Sequence, residues 1–236
     1  MKVAIMQPYF FPYIGYFQLM HAVEKFVIYD DAQYMKGGWI NRNRILHTGA
    51  PLWWSAPVTH DSLKLPINRR TYSPGKEHRD RLIRQLDAAY RTAPHFHSVR
   101  DLVVECLSFN SINVATFNTN LLTTLARALD LPCQLLLSSD ISASATTGEE
   151  RVLDICESLG ATIYINTPGG RKLYSHEHFL SRHIRLCFLC PEVPAYTQLG
   201  HPPIPGLSIV DCLMFNGLKK TRTLTSQYTV ENAHHE

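Results

Sequence analysis

The sequence has no apolar run approaching the roughly 18 residues a helix needs to cross a bilayer, so no membrane span is expected. It has no G-x-G-x-x-G fingerprint of a dinucleotide site, no internal repeat and no low-complexity stretch. Charge is sparse: 18% of the 236 residues are charged, and the net charge is only +3 at pH 7. The basic residues are scattered, apart from Arg42 with Arg44 and Lys64 with Arg69 and Arg70, and do not form the stripe of a nucleic-acid binder. No nucleic-acid partner is therefore expected. Six cysteines are present, but only Cys187 and Cys190 lie close together. Without a second C-x-x-C a zinc ribbon is not expected, and no metal site is anticipated. Met1-Lys2 leads straight into a strand-like run with no small-residue cleavage pattern, so the expectation is a cytoplasmic chain with reduced thiols.

What is present is the composition of a globular protein, 45% hydrophobic and long enough to bury a sizeable core. Val3–Met6 reads as a strand that Gln7-Pro8 stops, because proline donates no ladder hydrogen bond. An aromatic turn, Tyr9-Phe-Phe-Pro-Tyr13, leads into helical periodicity at Ile14, Phe17, Leu19, Met20 and Val23. Phe26–Tyr29 is a second strand, ending at Asp30-Asp31. A strand, a helix and a strand within thirty residues form a βαβ unit with parallel strands. Strand-like runs around Gly37-Gly38 predict a β-hairpin over about 33–58, and amphipathic helices fill about 76–130. Cys133–Leu137, Thr162–Asn166 and 184–189 read as strands between helices over 147–159, 175–182 and 207–215. The alternation predicts one α/β domain over 1–225, three-layered and built on a mostly parallel, Rossmann-like sheet with an inserted helical lobe, followed by a frayed tail at 226–236.

Five groups of residues could carry chemistry. Gln7, Tyr9, Tyr13, Gly15 and Tyr16 lie beyond the carboxyl end of the first strand and before a helix N-terminus, where parallel sheets bind ligands and anions are favoured; the same rings equally suit core packing. Asp30 and Asp31, with Tyr34 and Lys36, offer carboxylates for a general base, or else turn and cap residues. Trp39, Asn41, Arg42, Asn43 and Arg44 alternate on a strand, placing two guanidiniums on one face to receive phosphates or carboxylates. Lys76 and His78 open a helix, and His78 titrates near neutrality. Gly169 and Gly170, followed by Arg171-Lys172, end a strand with open backbone amides that can cradle an anion. Asp30, Asp31, His78 and Tyr34 are the candidate catalytic groups, and the others the candidate substrate contacts. Cys156 and Cys212 fall among apolar helix positions and read as core residues.

Two resemblances add to this reading. Tyr13-Ile14-Gly15-Tyr16 stands where nucleotidylyltransferases and class I tRNA synthetases carry His-Ile-Gly-His. That likeness implies a nucleotidyltransferase-like sheet, but a phenol brings no positive charge to a phosphate near neutral pH. Across nearly the whole chain, from M-Q-P-Y-F-F-P-Y-I-G-Y-F through K-F-V-I-Y-D-D-A-Q-Y and K-G-G-W-I-N-R-N-R-I-L to E-R-V-L-D-I-C-E-S-L-G-A-T-I-Y-I-N and P-G-L-S-I-V-D-C-L-M-F-N-G, the sequence resembles the WbqC-like family. The resemblance implies work in surface-polysaccharide (O-antigen) or amino-sugar biosynthesis. It points to a transferase moving an acyl or aminoacyl group onto a nucleotide-linked amino-sugar from a carrier-bound or CoA-type thioester, with an acyl or aminoacyl carrier protein as partner and no resident cofactor. A nucleotidyltransferase with a degenerate motif and a non-catalytic sugar-nucleotide-binding protein remain as alternatives.

Overall fold

The computed structural model describes residues 1–62, 64–145, 147–193, 195–199 and 202–233. Its strands divide their side chains between two cores, as the period of two in an extended chain requires. In β1 (Lys2–Met6), Val3 and Ile5 face one side and Ala4 the other. In β2 (Lys25–Ile28), Val27 opposes Phe26 and Ile28. The pattern repeats in β6 (Ile163–Asn166) and β7 (Arg185–Pro191), where Leu186 and Phe188 oppose Cys187 and Leu189. A strand covered on both faces must lie inside a layered sheet. The sheet runs β5–β2–β1–β6–β7–β8, with β5 at Gln134–Leu137 and β8 at Tyr228–Asn232. All neighbours are parallel except β7 and β8.

One face carries α5 (Gly148–Ser158) and α6 (His176–Ser181), through Val152, Ile155, Cys156 and Phe179. The other carries α1 (Ile14–His21) and α7 (Ile209–Thr225). This is the expected mostly parallel three-layer, Rossmann-like arrangement. A separate two-stranded hairpin, β3 (Arg42–His47) with β4 (Ala50–Ser55), lies within the predicted hairpin range. The helices α2 (Lys76–Tyr90), α3 (Phe96–Leu107) and α4 (Val114–Ala128) occupy the predicted insertion. They share one continuous core with α1, α7 and the hairpin, so the insertion thickens one layer. Asn113 caps α4 by accepting from the Thr116 N–H at 3.0 Å, as its position suggests.

Two stretches differ from expectation. Residues 228–232, read as part of a loose tail, form β8 antiparallel to β7 and complete the sheet edge; residues 234–236 lie outside the described residues. The last helix, expected to end near 215, continues to Thr225 across a break at Gly217 (φ 65°, ψ 176°). That conformation is essentially reserved for glycine, and a Cβ there would meet the His95 ring at 2.9 Å.

The break yields a contrast between two glycines. Gly217→Ala is expected to cost about 2 kcal/mol or more, lowering Tm by roughly 4–8 °C in a chain of this size. Gly169→Ala, with nothing within 4 Å of the added carbon, should shift Tm by no more than about 2 °C. Equal shifts in a thermal melt would contradict the assignment.

Candidate functional site

The aromatic turn that follows β1 is held from all sides by hydrogen bonds to its carbonyls. Gln7 O accepts from the Tyr16 hydroxyl (2.8 Å), and Pro8 O from Asn118 Nδ2 (2.8 Å). Asn43 Nδ2 donates to Phe11 O (2.8 Å) and Phe10 O (3.2 Å). The Ser208 hydroxyl also reaches Phe11 O (2.8 Å), and Ile209 N–H donates to Pro12 O (2.8 Å). Phe11 itself has φ 41°, which is strained for a bulky residue and persists only where the surroundings over-determine it. The rings of Phe10 and Phe11 pack against buried Trp54 at 5.3 and 4.9 Å, so they belong to the core. Tyr9 and Tyr13 remain at the surface of a cavity. Gly15 leaves the room that Tyr13 fills, since a Cβ there would lie 2.4–2.6 Å from the phenol.

The turn forms the wall of a crevice at the topological switch point. From β1 the chain moves outward through β2 to β5, then returns to place β6 against the other side of β1. In open α/β sheets this reversal is where ligands bind, beyond the strands' carboxyl ends. Adjoining cavities open there and share Met6, Tyr9 and Thr167. The first, about 320 Å³, is walled by Tyr9, Tyr13, Tyr16, Trp39, Asn43 and Arg44. The second, about 460 Å³, lies under Tyr29, Tyr174, Gly169 and Glu149. It continues through Gln7 and Tyr29 into a space bounded by Asp31, Tyr34 and Lys36. Burial raises the pKa of Tyr9, Tyr13 and Tyr174 and pushes Tyr29 up to about 12. These phenols therefore stay protonated at neutral pH and serve as hydrogen-bond donors.

Charge is unevenly spread along the crevice. At one end the hairpin presents a stack: the Arg44 guanidinium sits 5.7 Å from the Trp39 ring, Trp39 lies 5.7 Å from Trp53, and Arg42 sits 4.2 Å from Trp53. Arg42 is spent on the carbonyls of Gly37 and Gly38. Arg44 donates to Gly206 O at 3.2 Å, and its buried Nε has no partner. At the other end stand Asp31 and Glu149. Asp31 is paired with Arg151 at 2.9 Å and touches the Ser138 hydroxyl. Glu149 accepts from the Ser175 N–H and faces His178 Nδ1 at 2.8 Å.

The remaining anticipated residues separate. Asp30 is buried and accepts from Ser138, Ser139 N–H and Asn68 at 3.0, 3.0 and 3.2 Å, tying the ends of β2 and β5 together. Tyr34 lies under the Arg70 guanidinium (4.6 Å) and donates to Asn41 Oδ1, while Asn41 Nδ2 braces Ala56 O. Gly170 packs against the Asn166 amide, whereas Gly169 faces open space. Lys76 and His78 line a different groove under α2, beside Phe109 and Phe117, which shares no lining residue with the crevice. Among the described residues, no three His, Cys, Asp or Glu side chains are grouped to hold a metal ion.

Several participants escape a reading by sequence. Asn118, Ser208 and Arg151 lie on helices or at their caps, far along the chain from the turn and the Asp pair they meet, and Glu149, at the start of α5, reaches Ser175 and His178. Asp211 is another: its buried carboxylate accepts from Tyr196 (2.6 Å), Gln198 (2.7 Å) and Tyr90 (2.9 Å). Burial raises its pKa against the pull of those bonds. It fastens the segment at 196–198, beside the crevice mouth, to α2.

A model of the WbqC-like protein family matches residues 7–223. An uncharacterized protein of Mycobacterium tuberculosis (strain ATCC 25618 / H37Rv), Rv1507c, is 32% identical over 217 residues, covering 91% of this chain and 93% of that one. The chain belongs to the WbqC-like protein family. No helix among the described residues is long and apolar enough to cross a membrane.

The clamp on the turn makes a sharp forecast. Asn43→Ala removes the side-chain donor to Phe10 O and leaves Phe11 O with the Ser208 hydroxyl, and should cost about 1–3 kcal/mol. Asn43→Asp, which keeps the shape but turns an acceptor toward the carbonyls of Phe10 and Phe11, should cost more than the alanine. Urea denaturation orders the two variants; an aspartate variant as stable as wild type would refute the clamp.

Proposed function

We propose that this WbqC-like protein transfers an acyl or aminoacyl group from a thioester donor to the amine of a nucleotide-linked sugar, within surface-polysaccharide or amino-sugar biosynthesis. The observation that best supports this reading is the polarity of the crevice. An arginine without a carboxylate partner stands at one end beside half-exposed indoles, acidic groups stand at the other, and protonated tyrosines line the space between. A nucleotide-linked amino-sugar has the matching order: a planar base, a diphosphate, a hydroxylated ring and an amine. Indole faces stack on a base, guanidinium forks suit phosphate oxygens, and phenols donate to ring hydroxyls and oxygens.

In this reading Arg44 takes the diphosphate, with Trp39 and Trp53 as the base platform. Tyr9 and Tyr13 border the sugar, and Gly169 leaves space for the donor to approach along the backbone. The amine, once deprotonated, attacks the thioester carbonyl carbon. The C–N bond forms, the C–S bond breaks, and the thiolate leaves with the electron pair and takes up a proton. Direct transfer is favoured over an enzyme thioester. Burial pushes Cys106 and Cys156 up to about 12 and Cys133 and Cys212 to about 11, so these thiols are not nucleophiles at neutral pH. Nucleotidyl transfer is less favoured because Tyr16 is buried and donates to Gln7 O. Its hydroxyl proton is committed to that carbonyl and does not serve a phosphate as the second histidine of His-Ile-Gly-His does.

Mass spectrometry of incubations with nucleotide-linked amino-sugars and CoA or carrier-protein thioesters is expected to show an amide product and free thiol. Arg44→Ala should raise KM for the sugar nucleotide by about tenfold to a hundredfold, as loss of a charged hydrogen bond implies, with little change in Tm. Binding without turnover would leave a non-catalytic binding protein. Pyrophosphate release from ATP or CTP would point to nucleotidyl transfer instead.

A further inference from the structure

The second cavity of the crevice differs from the first in its charge. Among the described residues that line it, Glu149 carries the only formal charge, and no lysine, arginine or histidine joins it. The same cavity is lined by Tyr9, Tyr29 and Tyr174, and the Glu149 charge acts on the Tyr174 phenol. A single carboxylate sharing a cavity with tyrosine rings can receive an organic cation, through charge and through the negative faces of the rings. Glu149 is also built in rather than waving from the surface. Its side chain keeps 18% of its exposure, one oxygen is held by the Ser175 N–H, and the other faces His178 Nδ1. Each carboxylate oxygen has a second lone pair, so both can still accept from a ligand.

We propose that this cavity is the subsite for the protonated amine of the acceptor, with Glu149 as its counter-ion and Tyr29 and Tyr174 as its cation-facing rings. The inference rests on the amino-sugar reading above and adds the residues that would recognise the amine. It also fits what happens to the two aspartates. Asp30 is consumed by three donors and Asp31 by Arg151, which leaves Glu149 as the acidic group facing open cavity whose one cationic neighbour, His178, can lose its charge.

His178 gives the subsite a pH dependence. The groups facing the pair are Glu150 on α5, Glu177 on α6, and the phenol of Tyr174, with Tyr29 across the cavity. The hydrogen bond to Glu149, and then the charge of that carboxylate, raise the His178 pKa above its usual value. Below its titration range the imidazolium pairs with Glu149 and competes with a ligand ammonium. Above that range the imidazole is neutral and the carboxylate is free to pair with the amine. Preference for an amine therefore weakens as pH falls.

Calorimetry with UDP-glucosamine, UDP-glucose, glucosamine and glucose tests this. Wild type is expected to prefer each amine over its hydroxyl counterpart by about tenfold at a pH where His178 is neutral, with the preference shrinking as pH falls through the raised titration range of His178. Glu149→Gln should erase the preference, and His178→Gln should flatten its pH dependence. Tyr29→Leu, which leaves the Glu149–His178 pair intact, should weaken the preference if Glu149→Gln proves too unstable to assay. A structural role for Glu149, tethering Ser175 and α6, would lower Tm without altering amine preference, and that result would overturn the proposal. Equal binding of UDP-glucosamine and UDP-glucose to wild type would overturn it while leaving the nucleotide-sugar reading intact. If neither nucleotide ligand binds, the nucleotide-sugar reading fails. The glucosamine and glucose pair then decides the amine subsite alone: a preference lost in Glu149→Gln sustains it, and no preference overturns it.

Discussion

Everything at the crevice depends on the hydrogen bonds that hold the backbone between residues 7 and 12. A buried loop must find partners for its carbonyls, and this one contains two prolines that bring acceptors and no donors. The partners come from α1 (Tyr16), β3 (Asn43), α4 (Asn118) and the cap of α7 (Ser208 and Ile209). Four elements thus meet on one turn, which holds Phe11 in a strained conformation. The benefit is rigidity. With Phe10 and Phe11 locked into the core against Trp54, Tyr9 and Tyr13 are presented to the cavity at a fixed angle. A preorganised wall binds without an ordering cost at the moment of association.

The same logic separates residues that build the site from residues that face it. Asp30, Asn41, Tyr34 and Tyr16 all carry functional groups, but each has its hydrogen-bonding capacity largely committed to the protein. Burial of a polar group without such partners would cost free energy, and in these positions the partners are all internal. Arg44, Tyr9, Tyr13, Glu149 and Gly169 are instead left with capacity or space toward the crevice. The Asp31–Arg151 pair lies between these classes. Its arginine is 8% exposed and its aspartate 27%, so it stiffens the join of β2 to α5 while bordering the cavity.

Much of the fold was legible because it rests on local patterns. Alternating apolar residues mark β1, β2, β6 and β7; Asn113 and Gly160 mark a helix start and a helix end, the latter with φ 69°; and the Tyr9–Tyr16 segment points to the switch-point crevice. The Arg42–Arg44 alternation likewise gave a shared outer face. What could not be read were pairings across long stretches of chain. Nothing local tells that Asn118 would meet Pro8, that Arg151 would meet Asp31, or that Glu149 would reach His178. Lys76 and His78 share a helix start that suits an anion, yet α2 packs on the hairpin and turns that start into a separate groove. The strand at 228–232 was hidden by its polarity: as an edge strand it needs only one partner and one apolar contact, so it lacks a hydrophobic signature.

The most direct test of the crevice as the place of chemistry is a crystal structure with a nucleotide-linked amino-sugar bound. The diphosphate should lie on the Arg44 guanidinium, the sugar should lie against Tyr9 and Tyr13, and the amine should lie within hydrogen-bond distance of Glu149. Density for the ligand in the groove of Lys76 and His78, with the switch-point crevice empty, would contradict this assignment.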